Sequence, residues 1–208
     1  MDTGPADDAP AVSRRSPLRQ WLAERRISQL WKAGVAAILA VAALFGGLDT
    51  VDDKATPFAP GEDFSDGQFT LSVARASLVP SVQGGGRVIG PPKPGHRYLG
   101  VVATVRNDGT SPGRLRNELD VRNLSAKEFY GVFRYRDGSP IPALGPGLTE
   151  QLVFAWLVPD DAVAVGDTIT VRVWKKNYRQ LMVTYGGKEW LDSLTDYGVT
   201  ELTVGGPS

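Results

Sequence analysis

Few stretches of this chain hold residues whose types and spacing could do chemistry. Gly109-Thr110-Ser111-Pro112-Gly113 spells the G-x-S-x-G pattern of a nucleophile elbow. In that device the residue after the serine lends its backbone N–H to an oxyanion, and Pro112 has none. The surrounding pattern is strand, turn and strand without a following helix, so the motif reads as a turn. His96 is the single histidine, which excludes a histidine pair for zinc and a histidine relay. Cysteine is absent, and with it disulfides, thiolate metal sites, a cysteine nucleophile and a lipidated cysteine. Glycoside hydrolysis needs two converging carboxylates, and Glu118, Asp120, Asp160, Asp161, Asp192 and Asp196 are the candidates. Their turn and strand-end positions fit a solvated role, and no spacing brings two together. Phosphate loops and dinucleotide fingerprints are missing. The expectation is a protein that is not an enzyme and holds no cofactor or metal.

The best binding candidate is Arg172-Val173-Trp174-Lys175-Lys176-Asn177-Tyr178-Arg179, with Trp190 and Tyr197 further along. With Val173 on the core side of a strand, Trp174 faces out beside Arg172, Lys175, Lys176 and Arg179, and Tyr178 follows. An exposed aromatic among cations can stack on a sugar, grip an anionic polymer or anchor a protein partner. The competing reading packs Trp174 under the C-terminal stretch and leaves the lysines to solubilise a strand end. Formal net charge is zero, so no global field argues for nucleic acid.

The elements that must position these residues are strands. Phe69, Leu71 and Val73 alternate with Thr70 and Ser72; Leu99, Val101, Ala103 and Val105 alternate with Gly100, Val102, Thr104 and Arg106. Phe129, Gly131, Phe133 and Tyr135 alternate with Tyr130, Val132, Arg134 and Arg136, as do Ile169, Val171 and Val173 with Thr168, Thr170 and Arg172. A period of two marks strands with one face on a core. Residues 151–158 (QLVFAWLV) are apolar on both faces, which marks the most buried strand. Shorter candidates are 119–124, 181–185 and 199–204. Asn107-Asp108-Gly109, Asp137-Gly138, Gly145-Pro146-Gly147, Gly166-Asp167 and Gly186-Gly187 are turn signals between them. Seven or eight strands so separated, with no long amphipathic helix, predict an all-β antiparallel sandwich over residues 68–208. Residues 81–95 (SVQGGGRVIGPPKPG) read as a long loop too rich in Gly and Pro to order itself.

Ahead of this region, residues 33–48 (AGVAAILAVAALFGGL) form an uncharged apolar run. At about 1.5 Å per residue it spans roughly 24 Å, somewhat short of a hydrocarbon core about 30 Å thick, with Leu30 and Trp31 extending it at headgroup level. We read it as an uncleaved transmembrane signal anchor contacting membrane lipid. Cleavage at Ala40-Val41-Ala42 and a buried helix of a soluble core are the alternatives. Arg14, Arg15, Arg19, Arg25, Arg26 and Lys32 precede it, and Asp49, Asp52, Asp53, Glu62, Asp63 and Asp66 follow with Lys54 the only cation. Retention of cations inside places the N-terminus in the cytoplasm and the C-terminal region outside the cell membrane. Residues 1–32 are then a cytoplasmic tail with a possible short juxtamembrane helix beginning at Pro17. Residues 49–67, acidic and rich in Pro and Gly, are expected to be a tether.

Three stretches carry a resemblance: FTLSVARASLVPS at 69–81, HRYLGVVATVRNDGTSP at 96–112 and LGPGLTEQLVFAWLVPDDA at 144–162. Over roughly residues 68–175 the chain resembles a family of bacterial extracytoplasmic domains of unknown function with an immunoglobulin-like, telokin-like sandwich. The resemblance implies a membrane-tethered or secreted binding and assembly module and supplies no catalytic residues. The function expected is therefore an extracytoplasmic interaction module, an accessory or assembly subunit with a membrane or envelope protein partner. The alternative is a domain that binds an envelope glycan or small ligand through Trp174 and its neighbours.

Overall fold

The computed structural model describes residues 54–124, 126–180 and 187–207. The tail, juxtamembrane helix and span read at 1–48 lie outside them, as does the strand expected at 181–185. Among the described residues no helix is long and apolar enough to cross a membrane.

The described chain is all-β. Its strands are β1 (Lys54–Pro57), β2 (Asp63–Ser65), β3 (Phe69–Val79), β4 (Val82–Gly84), β5 (Arg87–Gly90), β6 (His96–Asn107) and β7 (Gly113–Arg114). They continue with β8 (Asp120–Val121), β9 (Glu128–Arg134), β10 (Ala143–Leu144), β11 (Thr149–Pro159), β12 (Thr168–Gln180) and β13 (Lys188–Gly205). One layer runs β2, β3, β6, β11, β9, the other β8, β12, β13, β1. They meet where the end of β13 runs parallel to β3, at Val204↔Ala76 and Gly205↔Ser77. The result is a sandwich in which β3, β6 and β11 face β12 and β13 across one apolar core.

That core is what the alternation demands. Phe69, Leu71, Val73, Leu99, Val101, Ala103 and Val105 are fully buried from one layer, and Ile169, Val171 and Val173 from the other. On β11, Leu152, Phe154, Trp156 and Val158 enter the core, while Ala155 and Leu157 are buried on the opposite face. Truncating a side chain such as Phe154 to Ala would cost about 3–5 kcal/mol.

Four expectations need correction. Residues 54–67 of the predicted tether belong to the folded unit. Phe58 and Phe64 stack with centroids 4.9 Å apart and are buried, β1 pairs with β13, and β2 pairs with β3. Residues 81–95 are ordered. Gly85 and Gly86 both have positive φ, as a two-residue turn matched to strand twist requires, so β4 and β5 form a hairpin. Tyr98 and Tyr130 hold it by donating from their hydroxyls to Pro91 O at 3.0 Å and Ile89 O at 2.8 Å. In β9 the predicted phase fails: a bulge between Gly131 and Phe129, opposite Ala155 and Trp156, turns both Phe129 and Val132 toward the core and leaves Phe133 buried outside it. Finally, the strand expected at 199–204 is the end of an 18-residue β13, and the one at 119–124 contracts to β8.

Candidate functional site

The least expected feature is a charged centre inside the sandwich. Register slips between β12 and β13, so that Trp174 opposes Tyr197 but Lys176 opposes Asp192. Past this bulge the Lys176 backbone N–H donates to Asp66 O at 2.5 Å, and its side chain turns inward. Its ammonium stands 4.8 Å from the Phe69 ring centroid and donates to Asp66 Oδ2 at 2.9 Å and to Glu118 Oε2. The Lys176 side chain is 9% exposed, Asp66 0% and Glu118 1%. Asp66 lies between β2 and β3, Glu118 on the strap between β7 and β8.

One ammonium serves two buried carboxyls, and the two are unequally hydrogen-bonded. Asp66 Oδ1 accepts the backbone N–H groups of Gln68 at 2.7 Å and Phe69 at 2.6 Å. Glu118 Oε1 is buried without a partner. Burial pushes the Glu118 carboxyl well above its ordinary 4.5, reinforced by neighbouring Asp66 and opposed by Lys176. Lys176 thus bridges two buried carboxyls, Asp66 and Glu118, and Glu118 is the one whose ionisation burial resists. Burial works against the Lys176 ammonium, but the two carboxyls outweigh it and its pKa rises above the ordinary 10.5.

One cavity adjoins this centre, and a second shares lining residues with the first. The first, about 300 Å³, is walled by Gln68, Gly113, Arg116, Glu118, Lys176, Trp190 and Asp192 among others. Its wall also holds Trp190 Nε1, a second buried polar atom without a partner. Burial raises the Asp192 carboxyl above its ordinary 3.8, with Lys176 opposing. The second, about 340 Å³, is walled by Phe129, Trp156 and Trp174 together with Asn117, Asp120 and Lys127. Arg116, Asn117 and Asp192 line both. The cavities therefore form neighbouring parts of one cleft along the β7–β8 strap.

The residues singled out by sequence divide between this cleft and the strand beyond it. Val173 faces the core and Trp174 the other side, as alternation requires. Trp174 is half-buried: the Arg172 guanidinium covers it at 4.0 Å and Tyr197 meets it edge-on at 5.2 Å. Arg172 pairs with Asp120 at 2.7 Å, and Lys175 with Asp196 at 3.0 Å. Lys176 is no surface cation but the core of the buried centre. Tyr178 and Arg179 are exposed, with Tyr178 packed on half-buried Trp190 at 5.1 Å. Glu118, expected to be solvated, is buried, and Asp66 was assigned to the tether. The available signal for the pair was weak: an acidic residue entering an apolar strand, and a lysine two positions beyond an outward tryptophan. Ser111 sits between β6 and β7 with its carbonyl accepting from Asn107 Nδ2 at 2.9 Å, a turn contact and not a nucleophile's setting.

No protein-family model matches the chain, and no curated protein does. Among solved structures it is similar to an uncharacterized β-sandwich protein from Clostridium difficile 630, with 11% identity over 74% of this chain and 99% of that one, at a TM-score of 0.49. It is also similar to a conserved hypothetical protein from Bacillus anthracis, with 17% identity over 55% of this chain and 87% of that one, at a TM-score of 0.35.

Proposed function

We propose that the domain is a binding module that takes a hydroxyl-rich ligand of saccharide size in the cleft beside the β7–β8 strap. The observation that carries this reading is the pairing of two cavities of about 300 and about 340 Å³ through Arg116, Asn117 and Asp192, with a tryptophan in each wall. Sugars offer apolar ring faces to aromatic side chains and hydroxyls to polar ones, and sites for small ligands combine such walls with a few placed polar groups. In this reading the apolar run at 33–48 anchors an immunoglobulin-like domain outside the cell membrane, within reach of envelope glycans. The test is titration of the full-length protein in mild detergent with neutral and acidic oligosaccharides, followed by tryptophan fluorescence and calorimetry. Saturable binding that Trp174→Ala weakens by about tenfold or more supports the reading. Absence of binding by every oligosaccharide at millimolar concentration overturns it.

A specific observation favours a second reading, a membrane-tethered interaction module. Leu194 is 85% exposed, and Leu191 and Tyr178 are exposed near it on β13 and β12. Exposed apolar side chains on one hairpin fit a protein partner. Brief cross-linking in native membranes, with Leu191→Ser, Leu194→Ser alongside the unchanged protein, separates the two: a stoichiometric partner lost in the variant favours the interaction module.

A further inference from the structure

We infer that the ligand of this cleft is an acidic saccharide and that Arg116 is the residue that selects its anionic group, an inference that rests on the cleft being the binding site. Arg116 is exposed where the two cavities join, and it also borders a shallow depression beside β9 lined by Phe129, Pro140 and Ile141. Among the described residues no salt bridge engages Arg116, nor Arg114 or Lys188 of the first cavity.

The carboxylates of the same walls do little to cancel these cations. Asp120 is already held between Lys127 at 3.3 Å and Arg172 at 2.7 Å. Lys176 is taken up by Asp66 and Glu118. Asp192 and the exposed Glu189 remain, fewer than the cations facing them, so the cleft keeps an excess of positive charge. A guanidinium offers a planar pair of donors that fits a carboxylate or a phosphate monoester, where an ammonium offers a point charge. Arg116 and Asn117 line both cavities, and Trp174 and Phe129 line the second, so a guanidinium, an amide for hydroxyls and aromatic faces for a ring border one cleft.

The experiment compares matched ligands on the full-length protein in mild detergent: a neutral oligosaccharide, its uronic-acid counterpart and its phosphate ester, each titrated at low and high salt. The expected result is binding of an acidic form about tenfold or more tighter than the neutral one, lost as salt rises. Whichever acidic form binds tighter identifies the anion as carboxylate or phosphate. In Arg116→Ala the acidic forms lose their advantage over the neutral one; Arg116→Lys restores only part, because the charge returns without the fork. Equal affinity for neutral and acidic forms in the unchanged protein overturns this inference and leaves the cleft reading intact. An acidic preference that survives Arg116→Ala overturns the role given to Arg116. No binding by any of the three overturns both the inference and the proposed function.

Discussion

Replacing Lys176 by methionine and Glu118 by glutamine should have very unequal consequences, though the two side chains touch. Lys176→Met keeps the apolar stem of the lysine but leaves the Asp66 anion buried with only its two backbone donors. Removing one partner of a buried ion pair costs about 3–5 kcal/mol. For a domain of this size that lowers Tm by about 6–20 °C. Burial favours the protonated form of Glu118, and Glu118→Gln replaces that form with an amide of the same shape, so its cost at mildly acidic pH should stay near or below about 1 kcal/mol. The sign of the pH dependence follows from the raised Glu118 pKa. A carboxyl with a raised folded pKa contributes stability that is complete below its unfolded value near 4.5 and is lost as pH rises through the folded value. The cost of Glu118→Gln should therefore shrink as pH rises, and the variant should become the more stable form once the wild-type carboxyl is forced to ionise. Thermal denaturation followed by circular dichroism from mildly acidic to mildly alkaline pH measures both effects. A second substitution, Asp66→Asn, should recover part of the Lys176→Met loss, since the anion is then gone and an acceptor for Gln68 and Phe69 remains. If Glu118→Gln costs as much as Lys176→Met, and its cost grows with pH, then Glu118 is an anion in the folded protein and the charge assignment is refuted.

Two further substitutions probe how the cleft wall is built. Asn107 is fully buried and closes the β6–β7 turn, donating to Ser111 O at 2.9 Å and Leu144 O at 2.7 Å and accepting from Gly109 N at 2.9 Å; Asn107→Ala should cost about 2–4 kcal/mol, read by urea denaturation, because it strands buried partners. Gly113→Ala would place its Cβ 2.2 Å from Phe69 Cζ and 2.6 Å from Gln68 Nε2, so it should cost about 1–3 kcal/mol by the same measurement and weaken oligosaccharide binding by displacing the wall.

The all-β character, the sandwich and most of its core were legible along the chain, because burial against a facing layer imposes a period of two on every strand that takes part. Phe69, Leu71 and Val73, the alternating residues of β6 and the two-faced apolar run of β11 all follow from that one constraint. It breaks where a strand changes phase. The bulge in β9, one extra residue, turns Val132 inward, and Lys176 turns inward where the register between β12 and β13 breaks, Trp174 opposing Tyr197 but Lys176 opposing Asp192. Linker-like composition misled at 54–67 and 81–95, because Pro and Gly are also what tight turns between short strands require.

Chemistry was legible by exclusion: a missing N–H at Pro112, one histidine and no cysteine rule out sites whatever the fold. Of the candidate surface read from sequence, Trp174, Lys176 and Trp190 line the two cavities, while Arg116, Phe129 and Trp156, from other elements, were not singled out. The fate of each of those residues was decided only in three dimensions. Asp66, Glu118 and Lys176 sit on three elements separated by 52 and 58 positions, and no local pattern links them. Their meeting, the raised pKa of Glu118 and the joining of two cavities at Arg116 are set by sheet register and by a low-dielectric interior, which exist only once the layers have closed on each other.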